Sequence, residues 1–144
     1  MKNLESAMKI ASATLLSLYL KTHVIHWNAM GNDFYQIHKM TDEMWKDLVD
    51  SFDGLNEQIR SLDIFTPTSL SEFQGLSQIE DMIKPGEAKA MLYELLLDNE
   101  RFIETLKEVN DLAEPHPGLG NFIQGLIDKQ EKMSWFLRAS VKGK

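Results

Sequence analysis

Apolar residues recur along this chain at three- and four-residue steps, and the runs are broken by clusters of glycine, proline and asparagine. That period is the signature of amphipathic α-helix. Leu4, Met8, Ala11, Leu15 and Leu18 define a first helix over residues 3 to about 28. Met30-Gly31-Asn32-Asp33 makes a turn, with Gly31 supplying the permissive backbone of a helix end and Asn32 or Asp33 a cap for the next helix. A second, long helix runs from about 34 to 62. Taking Leu55 as the zero of angle, Ile37, Met44, Leu48, Leu55, Ile59 and Leu62 fall within roughly 40° of zero, which makes a core stripe. Residues 63 to 86 form a connector punctuated by Pro67 and Pro85, too long to lie structureless in a compact domain. Within it, Ser69-Leu70-Ser71-Glu72-Phe73 starts a short helix, with Ser69 and Glu72 as a capping-box pair.

A third helix spans about 87 to 112, its stripe made by Ala88, Leu92, Leu95, Phe102, Leu106 and Val109 and interrupted by polar Asn99. Pro115-His116-Pro117-Gly118 breaks the chain, with His116 expected to be exposed. A fourth helix covers about 119 to 140, with Phe122, Ile123, Leu126, Met133 and Leu137 facing inward. The expected architecture is therefore all-α: a four-helix bundle with a short extra helix in the long crossover between the second and third helices, built as one domain over residues 1–144.

The polar positions of the second helix carry the chemistry. His38, Asp42, Asp53 and Glu57 fall at about 100°, 140°, 160° and 200° from the core direction, a second stripe pointing away from the bundle. His26 ends the helix before it. All five side chains are of types that can bind a divalent metal, yet the metal sites of bundle interiors draw on Glu-x-x-His pairs, and this chain has none. Asp42 and Asp53 are eleven residues apart, about 16 Å along the axis, while metal–ligand bonds are near 2 Å. One ion therefore cannot reach both pairs on one helix. A second copy packed antiparallel across a two-fold axis brings Asp53 and Glu57 of one chain opposite His26, His38 and Asp42 of the other, and makes two identical sites. Geometry alone thus points to a homodimer with interfacial metal sites. His23, three residues before His26, projects elsewhere and is not expected to be a ligand.

Composition narrows the classes. The absence of cysteine removes disulfides and thiolate metal sites and fits a cytoplasmic setting. The first residues mix charge with helical apolar spacing, unlike a signal peptide, and no apolar stretch reaches the roughly 20 residues a membrane span needs. A formal charge of −7 opposes broad attraction to DNA and suits a protein that attracts cations. The methionines sit mostly at core positions.

With His26-Trp27-Asn28, Gly31, Phe34, His38, Asp42-Glu43, Asp53 and Glu57 at these spacings, the chain resembles the Dps (DNA protection during starvation) mini-ferritins over essentially its whole length. Trp135-Phe136-Leu137 near the end belongs to the same likeness. The resemblance implies a ferritin-like bundle and a ferroxidase that oxidises Fe(II), preferably with hydrogen peroxide rather than oxygen. It implies a two-iron site, holding Fe(II)/Fe(III), at the subunit interface, with His26, His38, Asp42, Asp53 and Glu57 as catalytic and metal-binding residues. Asp53 and Glu57 would hold the tighter iron, and the histidines with Asp42 the weaker, exchangeable one. Fe(III) would collect as mineral in a hollow dodecamer and so limit oxidative damage.

Some residues keep two readings. Trp27 either packs at a subunit interface, where tryptophan is favoured, or intercepts oxidising equivalents; Trp135 carries the same pair, with core packing favoured. Asp47, Asp50, Asp128 and Glu131 either line a cavity or its pores, or form ordinary charged helix faces. Two alternatives to the ferroxidase stand beside it. A DNA-compacting nucleoid protein would rely on Lys2, Lys9, Arg138, Lys142 and Lys144, a sparse set. A helical interaction module would bind no metal at all.

Overall fold

The computed structural model describes residues 3–142. Its elements are five helices: α1 (Leu4–Asn28), α2 (Phe34–Ser61), α3 (Leu70–Leu76), α4 (Ala88–Leu112) and α5 (Pro117–Val141). The all-α reading and the short helix in the crossover are both found. Helix α1 packs along α2 and α4, α4 packs along α5, and α3 leans on α1. Helices α2 and α5 meet at few points, and one is at Gly54, where an added Cβ would lie 3.1 Å from the Phe122 ring.

The core stripe of α2 is as the sequence predicts, with Ile37, Met44, Leu48, Leu55 and Ile59 buried; Leu62 is half-buried and caps the helix. Helix α2 ends in a left-handed residue, Asp63 at φ +60°. The Asp63 N–H donates to the Arg60 carbonyl at 2.9 Å and the Ile64 N–H to the Ile59 carbonyl at 3.3 Å, the Schellman pattern that satisfies orphan carbonyls. At the other end Asp33 holds the N-cap position but its side chain makes no capping bond. Ser69 does cap α3, accepting from the Glu72 N–H at 3.1 Å, while the Glu72 carboxylate reaches back to the N–H of Thr68 rather than of Ser69. Helix α5 starts at Pro117, two residues before the expected start, because proline suits a first helical turn where its missing N–H costs nothing. His116 is accordingly the half-buried N-cap residue of α5 and not an exposed loop residue.

Helix α1 is buried on more than one face, and small or hydroxyl side chains make this feasible. Ala7, Ala11, Ser12, Ala13, Thr14 and Ser17 are all buried. Thr14 spends its hydroxyl proton on the Ile10 carbonyl at 2.8 Å and accepts from the Gln78 N–H at 3.0 Å, which ties the connector to α1. Between α4 and α5 the polar interruption at Asn99 is answered: its amide donates to Ser134 Oγ at 2.8 Å and to the Gln130 carbonyl at 2.9 Å, and accepts from Gln130 Nε2 at 2.7 Å. A buried amide fully paired in this way fixes one register of two otherwise greasy helices.

Lys21 is 1% exposed, and its ammonium lies 2.7 Å from Asp98 Oδ2 and 2.8 Å from Glu94 Oε2. Burial works against the charge, but the two carboxylates outweigh it and hold the Lys21 pKa above its ordinary 10.5. Burial pushes the Asp98 carboxyl up, with the Lys21 ammonium opposing. Removing one partner of such a pair strands the other in low dielectric, so Lys21→Met is expected to cost about 2–4 kcal/mol by urea unfolding at neutral pH. The Lys21 pKa is raised on folding, so its contribution is full below 10.5 and is lost as the pH rises through the raised value. The gap between native and Lys21→Met stability should therefore narrow in strongly alkaline solution.

Candidate metal centre

The end of α1 and the start of α2 are locked together by two histidines. His26 Nδ1 lies 2.8 Å from the His38 carbonyl oxygen, and His38 Nδ1 lies 2.8 Å from the His26 carbonyl oxygen. A carbonyl only accepts, so each Nδ1 carries a proton, and in the neutral imidazole each Nε2 is then left with a lone pair. The His26 carbonyl is among the last four of α1, which lack helical partners, and His38 fills that vacancy. The two rings stack at 3.7 Å and 16°. Thr41, buried, sits 3.3 Å from His26 Nδ1 while donating to the Ile37 carbonyl at 2.7 Å.

Asp42 stands one turn beyond His38. Its Oδ1 is 3.7 Å from His26 Nε2 and its Oδ2 accepts from Lys46 Nζ at 2.9 Å. The Lys46 ammonium holds the Asp42 carboxyl below the usual carboxylate range. His26, His38 and Asp42 thus share one corner. Asp53 and Glu57 do not join them: both are exposed, further along α2. Among the described residues no three histidine or carboxylate side chains of one chain form a metal-holding group. The four expected ligands on α2 are therefore divided between two stretches of one helix face, with His26 of α1 beside the first.

An aromatic shell backs the histidine corner, and most of it was not singled out from sequence. The His23 ring lies between Trp27, at 4.1 Å and 32°, and Trp45, at 4.0 Å and 11°. Its Nδ1 is 2.8 Å from the Tyr19 hydroxyl, and burial, then the neighbouring His26, holds its pKa down. His23 is thus a packing and hydrogen-bonding residue beside the corner. Trp45 is half-buried; its indole N–H is enclosed without an aligned acceptor, yet lies near enough to Asp42 to favour the ionised carboxylate. The four-residue spacing of Tyr19, His23 and Trp27 was the available signal for this shell. Trp27 itself is 58% exposed.

Trp135 is 56% exposed and edge-on to Phe136, so the favoured core reading fails: its position on α5 falls outside the buried Met133–Leu137 stripe. Phe122 is half-buried against Gly54. Asp47, with Glu43, lines a groove of about 690 Å³ between α2 and α5, floored by Met44, Leu48 and Met133; Asp50, Asp128 and Glu131 are exposed elsewhere.

The ferritin-like domain family matches residues 5–143. The DNA protection during starvation protein of Helicobacter pylori is 30% identical over 137 residues, covering 93% of this chain and 95% of its own length. The crystal structure of a Dps protein from Vibrio cholerae, described as a member of a broad superfamily of ferritin-like diiron-carboxylate proteins, superposes with a TM-score of 0.91 at 25% identity, over 96% of this chain and 89% of that one. Dps from Staphylococcus aureus superposes over 100% of both chains with a TM-score of 0.92 at 19% identity, a likeness of fold. By the extent of these matches the chain belongs to the ferritin-like family, in its Dps mini-ferritin branch.

Proposed function

We propose that this protein is an iron-storing ferroxidase that protects against oxidative damage, with its catalytic sites shared between two copies of the chain. The observation that carries the reading is the reciprocal imidazole–carbonyl pairing, which leaves the Nε2 of each neutral ring with a lone pair, that of His26 standing 3.7 Å from the Asp42 carboxylate. Imidazole and carboxylate suit Fe(II) among first-row metals. In this reading His26, His38 and Asp42 of one copy face Asp53 and Glu57 of the other, and one isologous contact makes two sites. Two Fe(II) ions each give up one electron; hydrogen peroxide and two protons take them and leave as two waters, with no hydroxyl radical released. The Fe(III) then collects as oxide inside a hollow dodecamer of one-domain chains. Among the described residues no helix is long and apolar enough to cross a membrane, and the cysteine-free chain suits a cytoplasmic store.

The protonation pattern is open to direct test. In the metal-free protein at mildly alkaline pH, nitrogen-15 spectra should show His26 and His38 both protonated at Nδ1 and bare at Nε2. A proton on either Nε2 would remove the ligand-ready arrangement.

The shared site has its own signature. His38→Ala and Asp53→Ala should each slow anaerobically loaded Fe(II) oxidation about ten-fold or more, with peroxide outpacing air in the native protein. Co-expressing the two variants pairs one doubly damaged site with one intact site in every mixed dimer. Random pairing then restores about a quarter of native sites. Absence of any recovery would place the site within one chain.

The Helicobacter relative's name raises DNA binding as a second reading. The charge of −7 opposes it. Lys9 pairs with Glu5 at 3.2 Å, and Arg138 lies in a shallow pocket with Glu100, Glu104 and Glu131; Lys2 and Lys144 fall outside the described residues. In a gel-shift assay duplex DNA should migrate unretarded at physiological salt, and retardation there would reverse this ranking.

A further inference from the structure

The carboxylate of Asp42 is already occupied. One oxygen faces His26 Nε2 at 3.7 Å, and the other accepts a 2.9 Å bond from the Lys46 ammonium. Lys46 follows Asp42 by four residues on α2, the acidic-then-basic order that a helix favours. The lysine is 59% exposed, and its ammonium stands 5.7 Å from the centre of the Trp45 ring, a second resting place for a cation. An exposed pair of this kind is weak and its long stem is free to swing. The ammonium is therefore a displaceable occupant of a carboxylate that a metal ion also needs.

We propose that Lys46 is the resident counter-ion of the histidine half of the site: it neutralises Asp42 while no metal is bound, and an incoming dication must displace it. This rests on the site reading given above and supplies a physical reason for unequal halves. Asp53 and Glu57 have no ion pair of this kind among the described residues, whereas metal binding at His26, His38 and Asp42 competes with a tethered cation. Lys46 thus sets affinity by acting on Asp42, without touching the metal itself, and makes that half the late-filling, readily emptied one.

The test is calorimetric titration of the intact, assembled protein with Zn(II), which is redox-inert, in three variants. Lys46→Gln should tighten the weaker class of sites about 2- to 5-fold, the range expected from releasing an exposed ion pair. Lys39→Gln removes the same charge from a lysine that lies over Tyr35 rather than on Asp42, and should give a clearly smaller change. Asp42→Asn should weaken the same class. If Asp42→Asn weakens binding while Lys46→Gln leaves it unchanged, the site stands and the counter-ion role falls. Equal tightening by both lysine variants would reduce the effect to diffuse charge and overturn the pairing. If neither Asp42→Asn nor Lys46→Gln alters binding, the metal site itself is wrong and the proposal goes with it. Circular dichroism of each variant guards against loss of fold, which substitution of exposed lysines is not expected to cause.

Discussion

Helix α2 must serve two surfaces with one period of 3.6 residues per turn. Burying Ile37, Met44, Leu48, Leu55 and Ile59 against the rest of the bundle leaves no freedom in how the helix is rotated about its axis. A rotation of a quarter turn would draw His38 and Asp42 into the core and expose three or four large apolar side chains, each worth about 1.5–3 kcal/mol of burial. The outward direction of the polar stripe is thus enforced by the inward one. The axial rise supplies the other half of the constraint. It separates Asp42 from Asp53 by a distance no metal ion spans, so within a single copy the two carboxylates cannot share one ion.

The ends of α1 and α2 show how backbone bookkeeping shapes chemistry. Each helix terminus leaves carbonyls without helical partners. At the end of α2 the demand is met by the left-handed turn at Asp63, which needs no side chain. At the end of α1 it is met by an imidazole, and the same bond that satisfies the His26 carbonyl fixes the His38 ring and its tautomer. The reciprocal bond does the same for His26. The two rings also stack on each other, and His23, itself stacked on Trp45, flanks His26, so they are held by packing as well as by hydrogen bonds.

The fold was largely legible because helical burial writes itself into sequence as period. The core stripes of α2 and α4, the crossover helix and the Ser69 cap all follow from local spacing. The polar stripe of His38, Asp42, Asp53 and Glu57 was legible, since the four share one phase, but its surroundings were not. The pairing of Lys21 with Glu94 and Asp98, and of Asn99 with Gln130 and Ser134, joins residues from different helices, and no local rule connects them. Trp135 shows the opposite failure: an aromatic residue next to a core stripe reads as core until the phase of the whole helix is known. Asp33 misled because capping position and capping bond are separate things, and His116 because Pro117 opens α5 rather than extending the break.

The placement of the Lys21 cluster has a consequence for how the chain folds. Helices α1 and α2 are joined by a short turn, as are α4 and α5, so each pair forms from contacts close in sequence and closes at small entropic cost. Joining the two hairpins requires α1 to dock on α4 across the long connector, and Lys21 with Glu94 and Asp98 lies in that seam. Lys21 and most of Asp98 shed their water only when the seam closes, while Glu94 keeps part of its own. Docking is therefore the step at which a large desolvation penalty and its electrostatic repayment arrive together, so a misaligned encounter meets the penalty alone. The cluster acts as a proofreader of assembly, rejecting slipped registers of two apolar surfaces that greasy contact by itself would tolerate.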